Sequence, residues 1–128
     1  REERKRSVRL ETLVGLGQGF TPAGDDFIAG ALLAERFLRF LYGFSRIRRR
    51  VIWQDGIFGA LHGTSAGGRT LLTGALSGSF PVYLLEVADS LLATDPRQLQ
   101  ITAARALKHG QTSGADACSG LLWYLETA

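Results

Sequence analysis

Three aspartates, each close behind a run of glycines, are the residues of this chain best suited to do chemistry. Asp25 and Asp26 follow Gly15-Leu16-Gly17-Gln18-Gly19-Phe20-Thr21-Pro22-Ala23-Gly24, and Asp116 follows Gly110-Gln111-Thr112-Ser113-Gly114-Ala115. Glycine lets backbone N–H groups approach a ligand, and a helix N-terminus adds roughly half a positive charge. Carboxylates in that setting have three uses. Asp25 and Asp26 can hold a hard cation such as Mg²⁺, with water and substrate oxygens completing its shell. One of them can act as a general base or accept hydrogen bonds from the amide nitrogen of a substrate. Alternatively the amides bind a phosphate or carboxylate. The repulsion from two carboxylates within about 4–6 Å is then relieved by a cation or an Arg.

The elements that must position these groups are helix starts. Pro22 suits the first turn of a helix, where its missing N–H costs nothing, and Thr21 before it is the expected N-cap. Gly-x-Thr recurs at Gly110–Thr112, and in both stretches an Asp is followed four residues later by Gly. Asp26 with Gly30, and Asp116 with Gly120, therefore share a helix face. A glycine there allows another backbone to come close behind the carboxylate. The repetition predicts a pseudo-symmetric site in which Asp26 and Asp116 begin neighbouring helices and open onto a common pocket.

Helical signals continue along the chain. Helices are expected over 2–14, Pro22–Tyr42, Ile57–His62, Ala66–Ser77, Pro81–Leu92 and Pro96–His109, with a last one beginning at Thr112 or Ser113. The Phe27–Ala34 stretch is apolar almost all round, as expected of a helix buried on every side. Phe44–Trp53 has no clear period, and no segment shows sustained β alternation. The fold class predicted is all-α: one compact multi-helix domain over 1–128, with a central buried helix and two glycine-rich acidic helix N-termini. His62 and Arg69 lie beside the Gly63-Thr64-Ser65 cap as a possible base and a possible charge. An edge histidine and a surface arginine are the preferred readings.

Composition excludes several classes. The chain has 128 residues, a 45% hydrophobic fraction and a net charge of +3. Its basic clusters, at Arg1–Arg9 and Arg46–Arg50, carry no interleaved aromatic platform. A solvated face or subunit contact is therefore preferred to nucleic-acid binding. No apolar run is long enough to cross a bilayer. Cys118 is the single cysteine, which predicts a reduced, cytoplasmic setting without an intrachain disulfide.

The run Gly-Leu-Gly-x-Gly-x-Thr-Pro-x-Gly-Asp-Asp-Phe-x-x-Gly, with Thr-Ser-Gly-x-Asp downstream, resembles the C-terminal half of the AllH-like family. Members of that family are linked to oxamate carbamoyltransferase, a multi-subunit enzyme of allantoin (purine) breakdown. Matching positions are Gly17, Gly19, Thr21, Gly24, Asp25, Asp26, Thr112, Gly114 and Asp116. The resemblance implies a carbamoyltransferase subunit and partner subunits, with a small anion such as carbamoyl phosphate or a carboxylate as ligand. Asp25, Asp26 and Asp116 would be catalytic. Gly17, Gly19, Thr21, Gly24, Thr112, Ser113 and Gly114 would bind the ligand, and Asp25 and Asp26 would hold any Mg²⁺. Family members are longer, which makes this chain the expected C-terminal part of a longer protein. Ala23-Gly24-Asp25-Asp26-Phe27 with Gly30 is also similar to the anion-hole motif of ribokinase-like phosphotransferases, though those enzymes are α/β proteins. A non-catalytic scaffold or ligand-sensing subunit is the remaining alternative.

Overall fold

Packing around one helix organises the molecule. The computed structural model describes residues 9–42 and 47–127. Among the described residues there are six α-helices and no strand. They are α1 (Ala23–Tyr42), α2 (Ile47–Ala60), α3 (Ala66–Leu76), α4 (Val82–Ala93), α5 (Pro96–Leu107) and α6 (Ser113–Thr127). Short 3₁₀ turns at Leu10–Leu13 and Leu61–Gly63 complete the path. The all-α class is as the sequence predicts.

Helix α1 is central because its middle has no polar side. Ile28 through Ala34 are all buried, and α6 and α3 pack against it. Its second half carries Arg36 and Arg39 toward the surface. Glu35 remains buried and pairs with Arg39 one turn on, at 3.6 Å. Helices α4 and α5 form a hairpin. Thr94 closes α4 in the left-handed conformation, and Asp95 caps α5 by accepting from the amides of Arg97 and Gln98. A buried hydroxyl pair, Thr102 to Ser90 at 3.0 Å, and the Arg105–Glu86 ion pair fasten the two helices together.

The α1–α6 crossing is the most extensive helix contact in the fold and is built on glycine. A β-carbon on Gly30 would overlap the carbonyl oxygen of Ala117, and one on Gly120 would overlap that of Phe27. The backbone nitrogens of Leu121 and Ala31 are the matching neighbours. Superposing Asp26 on Asp116 places Gly30 on Gly120, Phe27 on Ala117 and Ala31 on Leu121, so the contacts are reciprocal. The Asp-x-x-x-Gly repeat is thus a pseudo-two-fold helix crossing. Trp53 of α2 then seals one end, edge-on to Tyr124 with ring centroids 5.6 Å apart.

Three expectations need correction. The helix expected over 2–14 is, in its described part, only the Leu10–Leu13 turn, and residues 1–8 lie outside the described residues. Ile57–His62 is not a separate piece: α2 runs through Ala60 and tightens into the Leu61–Gly63 turn. Its first turns read poorly because Arg48–Arg50 give no apolar period, although arginine is a good helix former. The helix expected to reach His109 ends at Leu107, and Gly110 takes a positive φ of 64° in the turn beyond.

The crossing makes a direct expectation. Gly30→Ala or Gly120→Ala must force the helices apart and should destabilise by about 1–3 kcal/mol or more. Gly59→Ala, whose β-carbon would meet nothing within 4 Å, should stabilise by about 0.4–1 kcal/mol. Equilibrium urea unfolding of the three variants measures the contrast.

Candidate active site

The first glycine loop folds back onto the start of α1. Gly15, Gly17 and Gly19 all have positive φ, at 81°, 106° and 99°, a conformation that side-chain-bearing residues avoid. The turn brings the Gly15 N–H to Asp25 Oδ1 at 2.8 Å and the Leu16 carbonyl to the Gly24 N–H at 2.8 Å. The Pro22 carbonyl accepts from the amides of Asp25 and Asp26. The early turns of α1 are therefore satisfied largely by backbone, and Thr21 is not their cap. Its hydroxyl donates instead to Asp26 Oδ2 at 3.1 Å and lies 3.0 Å from the Ser113 hydroxyl of α6. A carboxylate is the stronger acceptor for the one proton that Thr21 can give.

The adjacent aspartates point in different directions and meet different surroundings. Successive helical residues are about 100° apart. Asp25 is fully buried: Oδ1 accepts from Gly15, and Oδ2 accepts from the Thr64 hydroxyl before α3. Gly68 has no side chain for a local reason, since a β-carbon there would overlap both Asp25 Oδ2 and Thr64 Oγ1. Asp25 ties the loop, α1 and the start of α3 together. It does not line a cavity.

Asp26 does. It is 2% exposed, and with Ala23 it borders an open cavity of about 850 Å³. The two walls are the pseudo-equivalent loops, Gln18–Thr21 on one side and His109–Ser113 on the other, with Leu71, Pro81 and Tyr83 closing the third. Burial, the largest influence, pushes the Asp26 carboxyl up from an ordinary 3.8 to about 6. The Ser113 and Thr21 hydroxyls oppose that rise, and the charges of Asp116 and Asp25 add to it. A carboxyl poised there can hold or release a proton near neutral pH.

The other sequence-derived residues divide accordingly. Gly19, Thr21, Thr112 and Ser113 line the cavity. Gly17, Gly24 and Gly114 are close-packing positions instead, against Ala23, the Leu13 carbonyl and the Ala106 carbonyl respectively. Asp116 lies in the first turn of α6, near enough to raise the Asp26 carboxyl, and its Oδ2 is buried without a hydrogen-bond partner. It is not part of the cavity wall. His62 is exposed in the Leu61–Gly63 turn, and Arg69 donates to the Leu61 carbonyl at 3.3 Å, so neither serves the cavity.

Two cavity residues escaped the sequence reading. Tyr83 and His109 stack with ring centroids 4.2 Å apart and planes at 24°. Burial, with the charges of Asp26, Cys118 and Asp116, pushes the Tyr83 phenol up to about 12, so it stays protonated. In sequence Tyr83 is passed over among the apolar residues of its helix, and His109 reads as a helix-end cation. Only the return of the chain joins them. Among the described residues no Lys or Arg lines the cavity, and no group of three His, Cys, Asp or Glu is placed to hold a metal ion.

Fold and site together define an all-helical domain that presents one buried carboxyl to a cavity between two glycine-containing loops. The chain belongs to the family described as oxamate carbamoyltransferase subunit AllH, whose model matches residues 13–125. No curated protein and no solved structure matches it. No helix among the described residues is long and apolar enough to cross a membrane.

The carboxyls differ in what their loss should do to stability. A group whose pKa is higher folded than unfolded binds its proton more tightly when folded. Asp26 therefore takes stability away as pH rises from about 4 to about 6, on the order of 3 kcal/mol once the window is passed. Asp26→Asn should melt higher than the parent at pH 8 and close to it at pH 4. Asp25→Asn turns a donor toward a donor and should cost about 1–3 kcal/mol by leaving one buried group unpaired. Differential scanning calorimetry at the two pH values checks both.

Proposed function

We propose that this domain binds the substrates of a carbamoyl transfer within a multi-subunit oxamate carbamoyltransferase, with Asp26 as general base. The observation that carries the reading is the Asp26 carboxyl, pushed up to about 6 at the cavity floor and held by Thr21 and Ser113. In the proposed step the oxamate nitrogen attacks the carbonyl carbon of carbamoyl phosphate. The C–N bond forms, the C–O bond to phosphate breaks, and the nitrogen's proton passes to the Asp26 carboxylate. The products are the N-carbamoylated acid and inorganic phosphate. Proton removal of this kind contributes typically 10²–10⁴-fold to a rate.

The rest of the lining supports the same step. Gly19, Thr112 and Ser113 offer small-residue backbone and hydroxyls to anionic groups. Asp25 fastens the loop and takes no part in the step, because both its oxygens are occupied by Gly15 and Thr64. For the same reason Asp25 does not fit a Mg²⁺ site, and Asp26 is kept for the proton, so any Mg²⁺ would be held by substrate oxygens and water. Mg²⁺ there would supply charge neutralisation at the phosphate. The described lining holds no Lys or Arg, which leaves a second source of that charge to a cationic side chain outside it, such as one from another subunit.

That same absence supports one competing reading, a scaffold or ligand-sensing subunit with the chemistry on another chain. The phosphotransferase reading stands on the glycine–aspartate motif alone. Steady-state kinetics of the assembled enzyme separates catalysis from scaffolding. Asp26→Asn is expected to lower kcat by at least about 100-fold, without lowering the melting temperature. The parent's kcat/KM should rise with pH through about 6, where the base loses its proton. Asp25→Asn should melt lower yet keep its activity per folded molecule. Full activity in Asp26→Asn would assign the chemistry elsewhere.

A further inference from the structure

The wall of the cavity holds a donor that the protein itself does not use. Tyr83 is 8% exposed and borders the cavity. A phenol buried to this degree ordinarily finds a hydrogen-bond partner inside the protein. Tyr83 makes no hydrogen bond to any described residue, and its hydroxyl oxygen is not sealed away from solvent. With its side chain bordering the cavity, this unused donor is available to whatever the cavity contains.

Its geometry is set from two sides. Helix α4 carries Tyr83 behind Pro81, where the Pro81 carbonyl accepts from the amides of Leu84 and Leu85 and fixes the first turn. The His109 ring lies over the phenol ring at 4.2 Å. His109 is itself held by the chain: its N–H donates to the Ala106 carbonyl, and its carbonyl accepts from Gly114. The stack therefore links the tyrosine to the loop that delivers Ser113 to Asp26. One rigid unit presents a neutral O–H donor and, at the floor, a carboxylate acceptor.

A donor and an acceptor in one cavity suit a step in which an acyl carbonyl gains negative charge while the attacking nitrogen loses a proton. Donors aimed at the place where charge develops are worth far more in a water-poor site than in water. We propose that the Tyr83 hydroxyl hydrogen-bonds the carbonyl oxygen of the carbamoyl group during transfer, with His109 as its positioning residue. The inference rests on the carbamoyl-transfer reading of the same cavity. As nitrogen adds to the carbon, the C=O electron pair moves onto the oxygen beside Tyr83. The pair returns as the bond to phosphate breaks. Tyr83 keeps its proton throughout, and the nitrogen's proton goes to Asp26. In this arrangement the carbamoyl end lies on the Tyr83 side and the oxamate carboxylate toward the Gln18–Gly19 side of the cavity.

The test uses the assembled enzyme with oxamate and carbamoyl phosphate, comparing Tyr83→Phe with Asp26→Asn. Phe keeps the ring and its stack on His109. The expected result is a kcat lowered by about 10²–10³-fold, an oxamate KM within about twofold of the parent, and an unchanged melting temperature. Parental kcat in Tyr83→Phe, with Asp26→Asn inactive, overturns the tyrosine's role and leaves the transfer reading standing. Parental kcat in both variants overturns the two together. A change confined to KM also overturns the proposal, since it marks a contact made equally before and during the reaction. A second probe replaces Tyr83 with a ring-fluorinated tyrosine of lower pKa. A donor that must stay protonated then gives a new falling limb in kcat at high pH. A profile identical to the parent's contradicts the assignment.

Discussion

The backbone-to-backbone contact of α1 with α6 is the constraint on which the rest of the structure depends. Gly30 and Gly120 each face a carbonyl of the other helix with no room for a β-carbon. Their matched positions, four residues after Asp26 and Asp116, fix how the two helix starts meet. Because the crossing is this close, Ser113 at the head of α6 reaches Thr21 and Asp26 at the head of α1. The two glycine loops that precede these helices are carried to opposite sides of one cavity. Bulkier residues at the crossing would separate the carboxyl from the hydroxyl that steadies it.

The same closeness creates an electrostatic cost. Asp26 is buried beside two other carboxyls, Asp25 and Asp116, and only hydroxyls offset the burial. The fold gives stability away at this point, as functional sites commonly do. Asp25 shows the alternative outcome for the same residue type one position earlier. With an amide on one oxygen and a hydroxyl on the other, it is a fastening between loop, α1 and α3. Of two neighbouring carboxyls, one holds the site in shape and the other faces its contents.

Much of this was legible before any coordinates. The all-α class, the central Phe27–Ala34 turns and the Asp95-Pro96 helix start follow from patterning and capping alone. The repeated Asp-x-x-x-Gly already pointed to paired helix starts. What the sequence could not distinguish was Asp25 from Asp26, since adjacent acidic residues differ only in helical phase and in what the rest of the fold brings to each. Thr21 was misread for a related reason. Capping preferences count nearby amides, whereas its real acceptor is a carboxylate whose other hydroxyl neighbour, Ser113, lies 92 residues from Thr21. Tyr83 and His109 carry no local signal, because their stack exists only where α4 meets the loop before α6. Gly17, Gly24 and Gly114 look like ligand glycines in a motif, yet each is small because a neighbouring residue occupies the space.

The central claim is that Asp26 is a carboxyl held near neutral pH at the floor of the cavity between the two loops. The most direct measurement is a carbon-13 NMR titration of the aspartate carboxyl carbons, with Asp26 assigned by its absence in Asp26→Asn. The account predicts one aspartate signal with a midpoint at about 6, displaced when oxamate or inorganic phosphate is added. An Asp26 signal that titrates below about 4, within the ordinary carboxylate range, and ignores both additions would contradict it.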